Sequence, residues 1–213
     1  MKRGKLITIE GVEGAGKSTA LEYLKTCLSQ HHIEAIFTRE PGGTIIAERI
    51  RYMLLHAKQQ EPMFPETELL LMFAARAQHI KTCILPALSR GEWVVSDRFI
   101  DASYAYQGGG RNIQTSCIDM LDQWIVNDCY PDLTLLLDIN PDLGLMRADK
   151  RQIKKDRIEH EQIDFFNRVR EIYLKRAQQD PGRIKIIDAS ANLESVTLQI
   201  KKIFDEWFEG IKT

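Results

Sequence analysis

The sequence predicts an α/β fold in which helices cover both faces of a parallel sheet. Two observations support this prediction. Five short apolar runs recur along the chain, and longer stretches with helical periodicity separate them. Nearly continuous apolar strands that alternate with helices are typical of parallel sheets buried on both faces.

The predicted strands are β-branched or leucine-rich runs bounded by turn or charged residues, which is the usual pattern of a buried strand. They cover residues 5–10, 35–38, 93–96, 133–137 and 184–187. Because a helical stretch follows each strand, we expect all five to run parallel in one sheet.

Seven stretches carry apolar residues at the spacing of a helix face. They cover residues 18–30, 44–57, 66–88, 113–126, 141–151, 159–179 and 193–208. No internal repeat or Pro/Gly/Ser-rich linker interrupts the alternation. We therefore expect the 213 residues to form a single domain.

The charge balance excludes one class of function. The chain has 29 Lys and Arg against 30 Asp and Glu, a net charge of −1. A general binder of nucleic acid or of anionic membranes relies on excess positive charge. We expect neither partner, and any anionic ligand must be bound by a local group of cations.

The cysteines and histidines predict neither a zinc site nor a disulfide framework. The four cysteines stand far apart with no C-x-x-C pair, and the five histidines lack metal-site spacing. No apolar run approaches the ~18 residues of a membrane span. We expect free thiols in a reducing compartment and hence a cytoplasmic protein.

A phosphate-binding loop follows the first strand. Residues 11–19 fit the pattern G-x-x-x-x-G-K-[ST] in the required strand-loop-helix setting. Glycines let successive N–H groups turn toward a phosphate, and the helix start adds partial positive charge. The loop predicts the fold of P-loop NTPases and a site for a nucleoside triphosphate, which comprises Gly11, Val12, Glu13, Gly14, Ala15, Gly16, Lys17, Ser18 and Thr19.

Two side chains of this loop have expected roles. Lys17 can reach the β- and γ-phosphates, and the Ser18 hydroxyl can coordinate Mg²⁺, which we expect as the cofactor. A GTPase would also need an N-K-x-D motif, and no asparagine of the chain is followed by lysine. Motor and transporter ATPases typically have longer chains and a strand that ends in paired acids, whereas the third strand here ends in Asp97-Arg98.

Arginines follow the predicted strands at the edge where ligands of open α/β sheets bind. Arg39 follows the second strand, Arg98 the third, and six cations crowd residues 147–157. A phosphate acceptor is already ionised near neutral pH, since its second pKa is ~6, and needs no general base. Several arginines and no obvious base therefore favour a nucleoside monophosphate over an alcohol as acceptor.

Five further motifs complete a recognisable pattern. They are FTREPGGT at residues 37–44, FAAR at 73–76, DR at 97–98, AYQGGGR at 105–111 and DRIE at 156–159. Together with the phosphate loop, they closely resemble bacterial thymidylate kinases, and the resemblance covers essentially the whole chain. The resemblance implies a five-stranded parallel sheet with a mobile lid, a homodimer, and transfer of the γ-phosphoryl group of MgATP to dTMP.

The resemblance also implies roles for single residues. Arg39 and Arg98 would hold the dTMP phosphate, and Glu13 would contact the sugar 3′-hydroxyl. Tyr106 would crowd the sugar so that a 2′-hydroxyl is disfavoured. The remaining contacts would read the thymine edge and come from Arg76, Ser103 and Gln107.

A lid at about residues 147–158 is expected to supply a catalytic arginine. Some family members carry this arginine inside the phosphate loop, at the position of Gly14 here, whereas others supply it from the lid. Arg151 is the first choice for the residue that approaches the transferred group. Arg147, which we expect to contact ATP, and Arg157 would lie behind it.

Three assignments stay open at this point. The aromatic residue that stacks on thymine in close relatives lies four positions before the base-reading arginine, where this chain has Met72. Phe73 lies three positions before it, and we favour Phe73 because an aromatic face stacks better than a thioether. Asp97 either ligates Mg²⁺, directly or through water, or orients Arg98, and Glu40 is a candidate member of a water network near the acceptor phosphate.

Two rival functions follow from the same residues. An enzyme of this type with another acceptor, such as dUMP, is the nearer one. A non-catalytic nucleotide-binding regulator is the other, but it would not need Lys17, Ser18, Arg39 and Arg98 together.

Overall fold

Five parallel strands form one sheet in the order β2-β3-β1-β4-β5. The computed structural model describes residues 3–56, 61–150 and 156–212. The strands are β1 (Leu6–Glu10), β2 (Ala35–Arg39), β3 (Trp93–Asp97), β4 (Leu133–Asp138) and β5 (Ile184–Asp188). The predicted α/β class and all five strands are confirmed, and each strand boundary lies within one residue of its predicted position.

Helices connect the strands and cover both faces of the sheet. They are α1 (Lys17–Gln30), α2 (Ile45–Leu55), α3 (Pro65–His79), α4 (Leu85–Ser89), α5 (Ile100–Ser103), α6 (Thr115–Ile125), α7 (Pro141–Asp149), α8 (Ile163–Gln179) and α9 (Leu193–Lys212). Two π-helical segments, Ile80–Ile84 and Tyr104–Gly110, join α3 to α4 and extend α5. No helix within the described ranges has the length and apolarity needed to cross a membrane.

The core consists of two hydrophobic clusters, one on each face of the sheet. Successive strand residues point to opposite faces. Accordingly, Leu6 and Val94 belong to one cluster, whereas Ile7 and Val95 belong to the other. The backbone register pairs the same residues, Leu6 with Val94 and Ile7 with Val95. This double burial explains why the strands are apolar runs rather than alternating ones.

The helical segment from 100 to 110 was not predicted. It ends in three glycines, which have poor helix propensity. Tertiary packing overrides this preference, because a Cβ on Gly109 would lie 2.6 Å from Ile172 Cγ1 and 2.9 Å from the Arg168 carbonyl oxygen. The glycines thus let this segment pack closely on α8, and the packing places Ser103, Tyr106 and Gln107 in the site.

The predicted helix at 159–179 begins later, at Ile163. The preceding residues form a turn in which the Asp156 carboxylate accepts hydrogen bonds from the backbone N–H groups of Ile158 (2.8 Å) and Glu159 (3.0 Å). Such local side-chain bonds compete with helix formation.

Candidate active site

The phosphate loop occupies the turn between β1 and α1. Gly14 and Gly16 have φ values of 73° and 93°, a left-handed backbone that favours glycine. The Lys17 Nζ donates to the carbonyl oxygens of Gly11 (3.2 Å) and Val12 (3.1 Å), so the ammonium group lies against the loop. The loop and Lys17 together form a cradle suited to an anion.

The electrostatics of Lys17 favour anion binding. Burial, followed by the nearby positive charge of Arg98, lowers the pKa of Lys17. A phosphate placed in the cradle would stabilise the charged ammonium group and offset both effects. A bound anion would therefore reduce the electrostatic repulsion between Lys17 and Arg98.

Gly14 cannot be replaced by a larger residue without a backbone shift. A Cβ at this position would lie 1.8 Å from the carbonyl oxygen of Gly144 in α7. An arginine in the loop is therefore sterically excluded in this chain. This contact agrees with the expectation that the lid, and not position 14, supplies the catalytic arginine.

Arg98 leaves β3 with a left-handed backbone, φ 66°, which is unusual for a residue with a side chain. Hydrogen bonds hold this turn on both sides. The Arg98 N–H donates to the Ile9 carbonyl at 2.9 Å, and the Phe99 N–H donates to Glu10 Oε1 at 2.7 Å. The Ser96 hydroxyl donates to the Arg98 carbonyl at 2.7 Å.

The turn directs the Arg98 guanidinium at the phosphate loop. Its Nη1 donates to the Gly11 carbonyl at 2.8 Å, and its Nη2 is paired with the Glu13 carboxylate. The guanidinium also lies 4.7 Å from the centre of the Tyr106 ring. One cation thus contacts both the phosphate loop and a side chain that lines the neighbouring cavity.

A cavity opens beside Arg98 and is lined by residues of α2, α3 and the 100–110 segment. Most of the residues predicted to bind the acceptor lie in its wall. Those are Glu13, Arg76, Arg98, Ser103, Tyr106 and Gln107.

Arg76 is buried in the floor of this cavity and is held in three directions. It donates from Nε to Glu40 (2.7 Å), from Nη1 to the Ser103 hydroxyl (2.9 Å) and from Nη2 to the Phe99 carbonyl (2.9 Å). Because a guanidinium carries five N–H groups, donors remain for a ligand carbonyl. The arrangement suits a base edge that presents an acceptor.

Gln107 is fixed by a buried glutamate. Its Nε2 donates to Glu68 Oε1 at 2.8 Å. Arg111 and Arg157 also pair with Glu68, and these charges lower the pKa of the Glu68 carboxyl despite its burial, which acts in the opposite direction. The amide of Gln107 therefore has a defined orientation.

Phe73 is not among the residues that line the cavity, contrary to our preference from the sequence. Its side chain is buried in the core beneath Arg76, whose guanidinium lies 4.8 Å from the ring centre. Met72 lines the cavity instead. The two positions share one helix face only in part, and the core takes the larger aromatic ring.

Arg39 lies apart from the cavity. It is exposed, and its Nη2 donates to both carboxylate oxygens of Glu48, at 3.2 and 3.0 Å. Glu48 also accepts from the Gly43 N–H at 3.0 Å. The predicted phosphate ligand is therefore paired with an acid and does not line the cavity.

The lid arginines have different surroundings. Arg147 donates to the carbonyls of Ala189 (2.7 Å) and Ser190 (3.3 Å), in the loop after β5. Arg157 donates to the Leu54 carbonyl at 2.9 Å and pairs with Glu68. Arg151 lies outside the described residues, so its position stays a prediction.

Asp97 and Ser18 offer oxygen atoms that could ligate a cation. Asp97 Oδ1 is buried and has no hydrogen-bond partner within the described part of the chain, whereas Ser18 is exposed at the start of α1. An unpaired buried carboxylate oxygen is unfavourable unless it gains a ligand. Within the same ranges, no three His, Cys, Asp or Glu side chains form a metal cage.

The sequence reasoning missed three residues of the site. Arg51 lines the cavity and donates to the Pro41 carbonyl at 2.9 Å. Glu10 is fully buried and accepts from the Tyr173 hydroxyl at 2.7 Å as well as from Phe99. An acid at the end of an apolar strand was a usable signal for Glu10, but no sequence pattern points to Arg51 or Tyr173.

Comparisons with known proteins agree on one family. The thymidylate kinase family model matches residues 9–200. The chain is 57% identical to the thymidylate kinase of Vesicomyosocius okutanii over 203 residues, which cover 95% of this chain and 98% of the relative. It is 48% identical to that of Nitrosomonas europaea over 211 residues, 99% of this chain and 97% of the relative.

A solved structure shows the same architecture. The crystal structure of thymidylate kinase from Ehrlichia chaffeensis superimposes with a TM-score of 0.76 at 32% identity. The match covers 95% of this chain and 99% of that chain.

The buried Glu10 carboxyl predicts a pH-dependent stability. Burial, and then the Asp101 carboxylate, raise the pKa of Glu10 from 4.5 to about 7. Its contribution to stability is therefore complete below pH 4.5 and is lost as pH rises through about 7. Glu10→Gln removes this titration, so the variant does not lose stability as wild type does when the pH rises. We therefore expect its Tm relative to wild type to rise between pH 5 and pH 8.5. The rise should be about 2–4 °C for each kcal/mol of unfolding free energy that wild type loses.

Differential scanning calorimetry at several pH values measures this change. Glu206→Gln is the matched control, since the Glu206 side chain is 68% exposed. We expect its Tm difference from wild type to be the same at every pH. A constant Tm difference for Glu10→Gln would show that Glu10 does not titrate near pH 7 in the folded chain.

Proposed function

The chain belongs to the thymidylate kinase family, and from this premise we propose how its residues transfer the γ-phosphoryl group of ATP to dTMP. The reaction gives ADP and dTDP and serves the synthesis of dTTP. The observation that carries the proposal is the position of Arg98, which contacts the phosphate loop and faces the base cavity at once.

The donor binds at the phosphate loop. The loop N–H groups and the start of α1 surround the β-phosphate, and Lys17 follows the γ-phosphate as charge moves toward the β–γ bridging oxygen. Lys17 exchanges its contacts with the Gly11 and Val12 carbonyls for phosphate oxygens. We assign ATP contacts to residues 11–19 and to Arg147, which extends toward the loop after β5.

The chain has suitable residues for Mg²⁺. The buried Oδ1 of Asp97 and the exposed hydroxyl of Ser18 are hard oxygen ligands, and Mg²⁺ typically takes only one or two protein oxygens together with phosphates and waters. An ion held by these residues would neutralise charge on the β- and γ-phosphates. Asp97 is assigned as a ligand rather than as an orienter of Arg98, because Glu13 and Gly11 already hold that guanidinium.

The acceptor base binds in the cavity. Arg76 donates to a thymine carbonyl, while Ser103 and Gln107 complete the polar edge of the site. Met72 packs against the base in the place that we had assigned to Phe73. Glu13 accepts a hydrogen bond from the 3′-hydroxyl, and the buried Tyr106 ring limits the space at the 2′-position.

The acceptor phosphate lies between Arg98 and Arg39. It is already ionised near neutral pH, so the main barrier is repulsion between two polyanions. Arg98 is in place to reduce it. Arg39 must leave Glu48, and because an exposed ion pair is worth only about 0–1 kcal/mol, this exchange is easily driven by a phosphate dianion.

The lid supplies the last cation. Gly14 carries no charge, and both Arg147 and Arg157 already bond to the protein. We therefore assign Arg151 to the transferred phosphoryl group, as the lid arginine that can stabilise its charge in the transition state.

A homodimer is the proposed assembly, with the 213 residues as one domain in the cytoplasm. Large apolar side chains are exposed on neighbouring helices: Leu70 of α3 is 58% exposed, and Met120 and Trp124 of α6 are 70% and 78% exposed. Exposed apolar patches of this kind mark interaction surfaces. Solution scattering that found only monomers would remove the proposal.

A coupled ADP-release assay across dTMP, dUMP, dCMP, AMP and GMP tests the acceptor. We expect the highest kcat/KM for dTMP and at least about 10³-fold less for dCMP, because an amino group meets only donors at Arg76. Comparable turnover on AMP or dCMP would contradict the assignment of the base cavity.

Arg151→Ala tests the lid assignment. We expect kcat to fall by about 10²-fold or more while the KM for dTMP changes little, because the contact forms only in the transition state. Lys154→Ala, in the same segment, is the matched control and should keep nearly full turnover. If Arg151→Ala retained wild-type kcat, another residue would have to neutralise the transferred group.

A further inference from the structure

We propose that His79 is a positioning residue for base recognition: it fixes the Glu40 carboxylate, and Glu40 in turn aims the Arg76 guanidinium into the cavity. The inference rests on the proposed role of Arg76 in reading the base. His79 itself does not line the cavity, so its effect must pass through Glu40.

The contacts form one continuous buried chain. His79 Nε2 lies 2.7 Å from the Thr38 hydroxyl, and Nδ1 lies 2.9 Å from Glu40 Oε1. The other carboxylate oxygen, Oε2, accepts from Arg76 Nε at 2.7 Å. His79, Glu40 and Arg76 are 0%, 5% and 3% exposed, so water competes little with any of these bonds.

The charge state of His79 suits this role. Burial favours the neutral ring, but contacts with Cys83 and Glu40 outweigh it and raise the pKa of His79 to about 9. At neutral pH both ring nitrogens therefore carry protons. The buried Glu40 carboxylate is thus held between two cations, with His79 on one oxygen and Arg76 on the other.

The loop after β2 is built around His79. Gly43 has a φ of 81°, and a Cβ there would lie 2.4 Å from the Thr38 hydroxyl oxygen and 2.5 Å from His79 Nε2. The loop backbone therefore packs directly on the bond between Thr38 and His79. This loop also carries Glu40. His79 therefore helps to fix both the backbone position of Glu40 and the position of its carboxylate.

Loss of the Nδ1 contact would leave Glu40 Oε1 without its partner. The carboxylate would then rotate to share Arg76, and the guanidinium would shift with it. An error of about 1 Å in a positioning group can cost about 10²-fold in rate or affinity. Because Arg76 offers only donors, the shift weakens recognition of a carbonyl more than it weakens binding of ATP.

Two conservative variants separate the two contacts of the ring. The amide nitrogen of Asn can take the place of Nδ1, and that of Gln the place of Nε2. His79→Asn therefore keeps the bond to Glu40, whereas His79→Gln keeps the bond to Thr38. We expect His79→Gln to raise the KM and the calorimetric Kd for dTMP about 10-fold or more, with kcat at saturating dTMP within about 2-fold of wild type.

His79→Asn should stay within about 3-fold of wild type in both constants, and so should Thr38→Val. The preference for dTMP over dCMP should fall in His79→Gln and persist in His79→Asn. Equal constants in His79→Gln and wild type would overturn the inference. An equal rise in both histidine variants would also overturn it, since it would reflect general packing.

Arg76→Ala distinguishes this inference from the proposed function. If Arg76→Ala leaves the KM for dTMP unchanged, the assignment of Arg76 as the base reader fails and the role of His79 fails with it. If Arg76→Ala raises the KM and His79→Gln does not, only the inference about His79 fails. Should His79→Gln not fold, Glu40→Gln replaces it, with the same rise in KM expected and an unchanged KM overturning the inference.

Discussion

The site depends on the way Arg98 leaves the end of β3. A left-handed residue that carries a side chain costs about 1–3 kcal/mol. Here hydrogen bonds from Arg98 to Ile9, from Phe99 to Glu10 and from Ser96 to Arg98 hold that conformation. Because β1 and β3 are neighbours in the sheet, the turned guanidinium meets the carbonyl of Gly11. The donor loop and the acceptor cavity are joined at this contact.

Paired charges explain how a nearly neutral chain can bind two polyanions. Each arginine assigned to the acceptor has a glutamate partner: Arg98 pairs with Glu13, Arg76 with Glu40 and Arg39 with Glu48. The pairs differ in exposure. The buried Arg76 pair is a fixed part of the site, whereas the exposed Arg39 pair can exchange its acid for phosphate. The charges within each pair cancel, so the chain has a net charge of −1 although several arginines lie near the site.

The parts of the fold that the sequence predicted are those set by local pattern. Apolar runs predicted the five strands, and glycine spacing with Lys17 predicted the phosphate loop. The missed parts depend on contacts between distant segments. The helical segment at Tyr104–Gly110 packs closely on α8 through its glycines, and Phe73 lies in the core whereas Met72 lines the cavity. Likewise, Arg51 reaches the site only because α2 packs beside the loop at Pro41.

Arg98→Lys tests most directly whether the contact between Arg98 and the Gly11 carbonyl joins the phosphate loop to the acceptor cavity. Lysine keeps the charge, but it lacks the planar fork that can bond the Gly11 carbonyl and Glu13 at the same time. We predict that kcat falls by about 10²–10³-fold while the KM for ATP changes little. A kcat within a few-fold of wild type, measured on folded protein of unchanged Tm, would contradict the account.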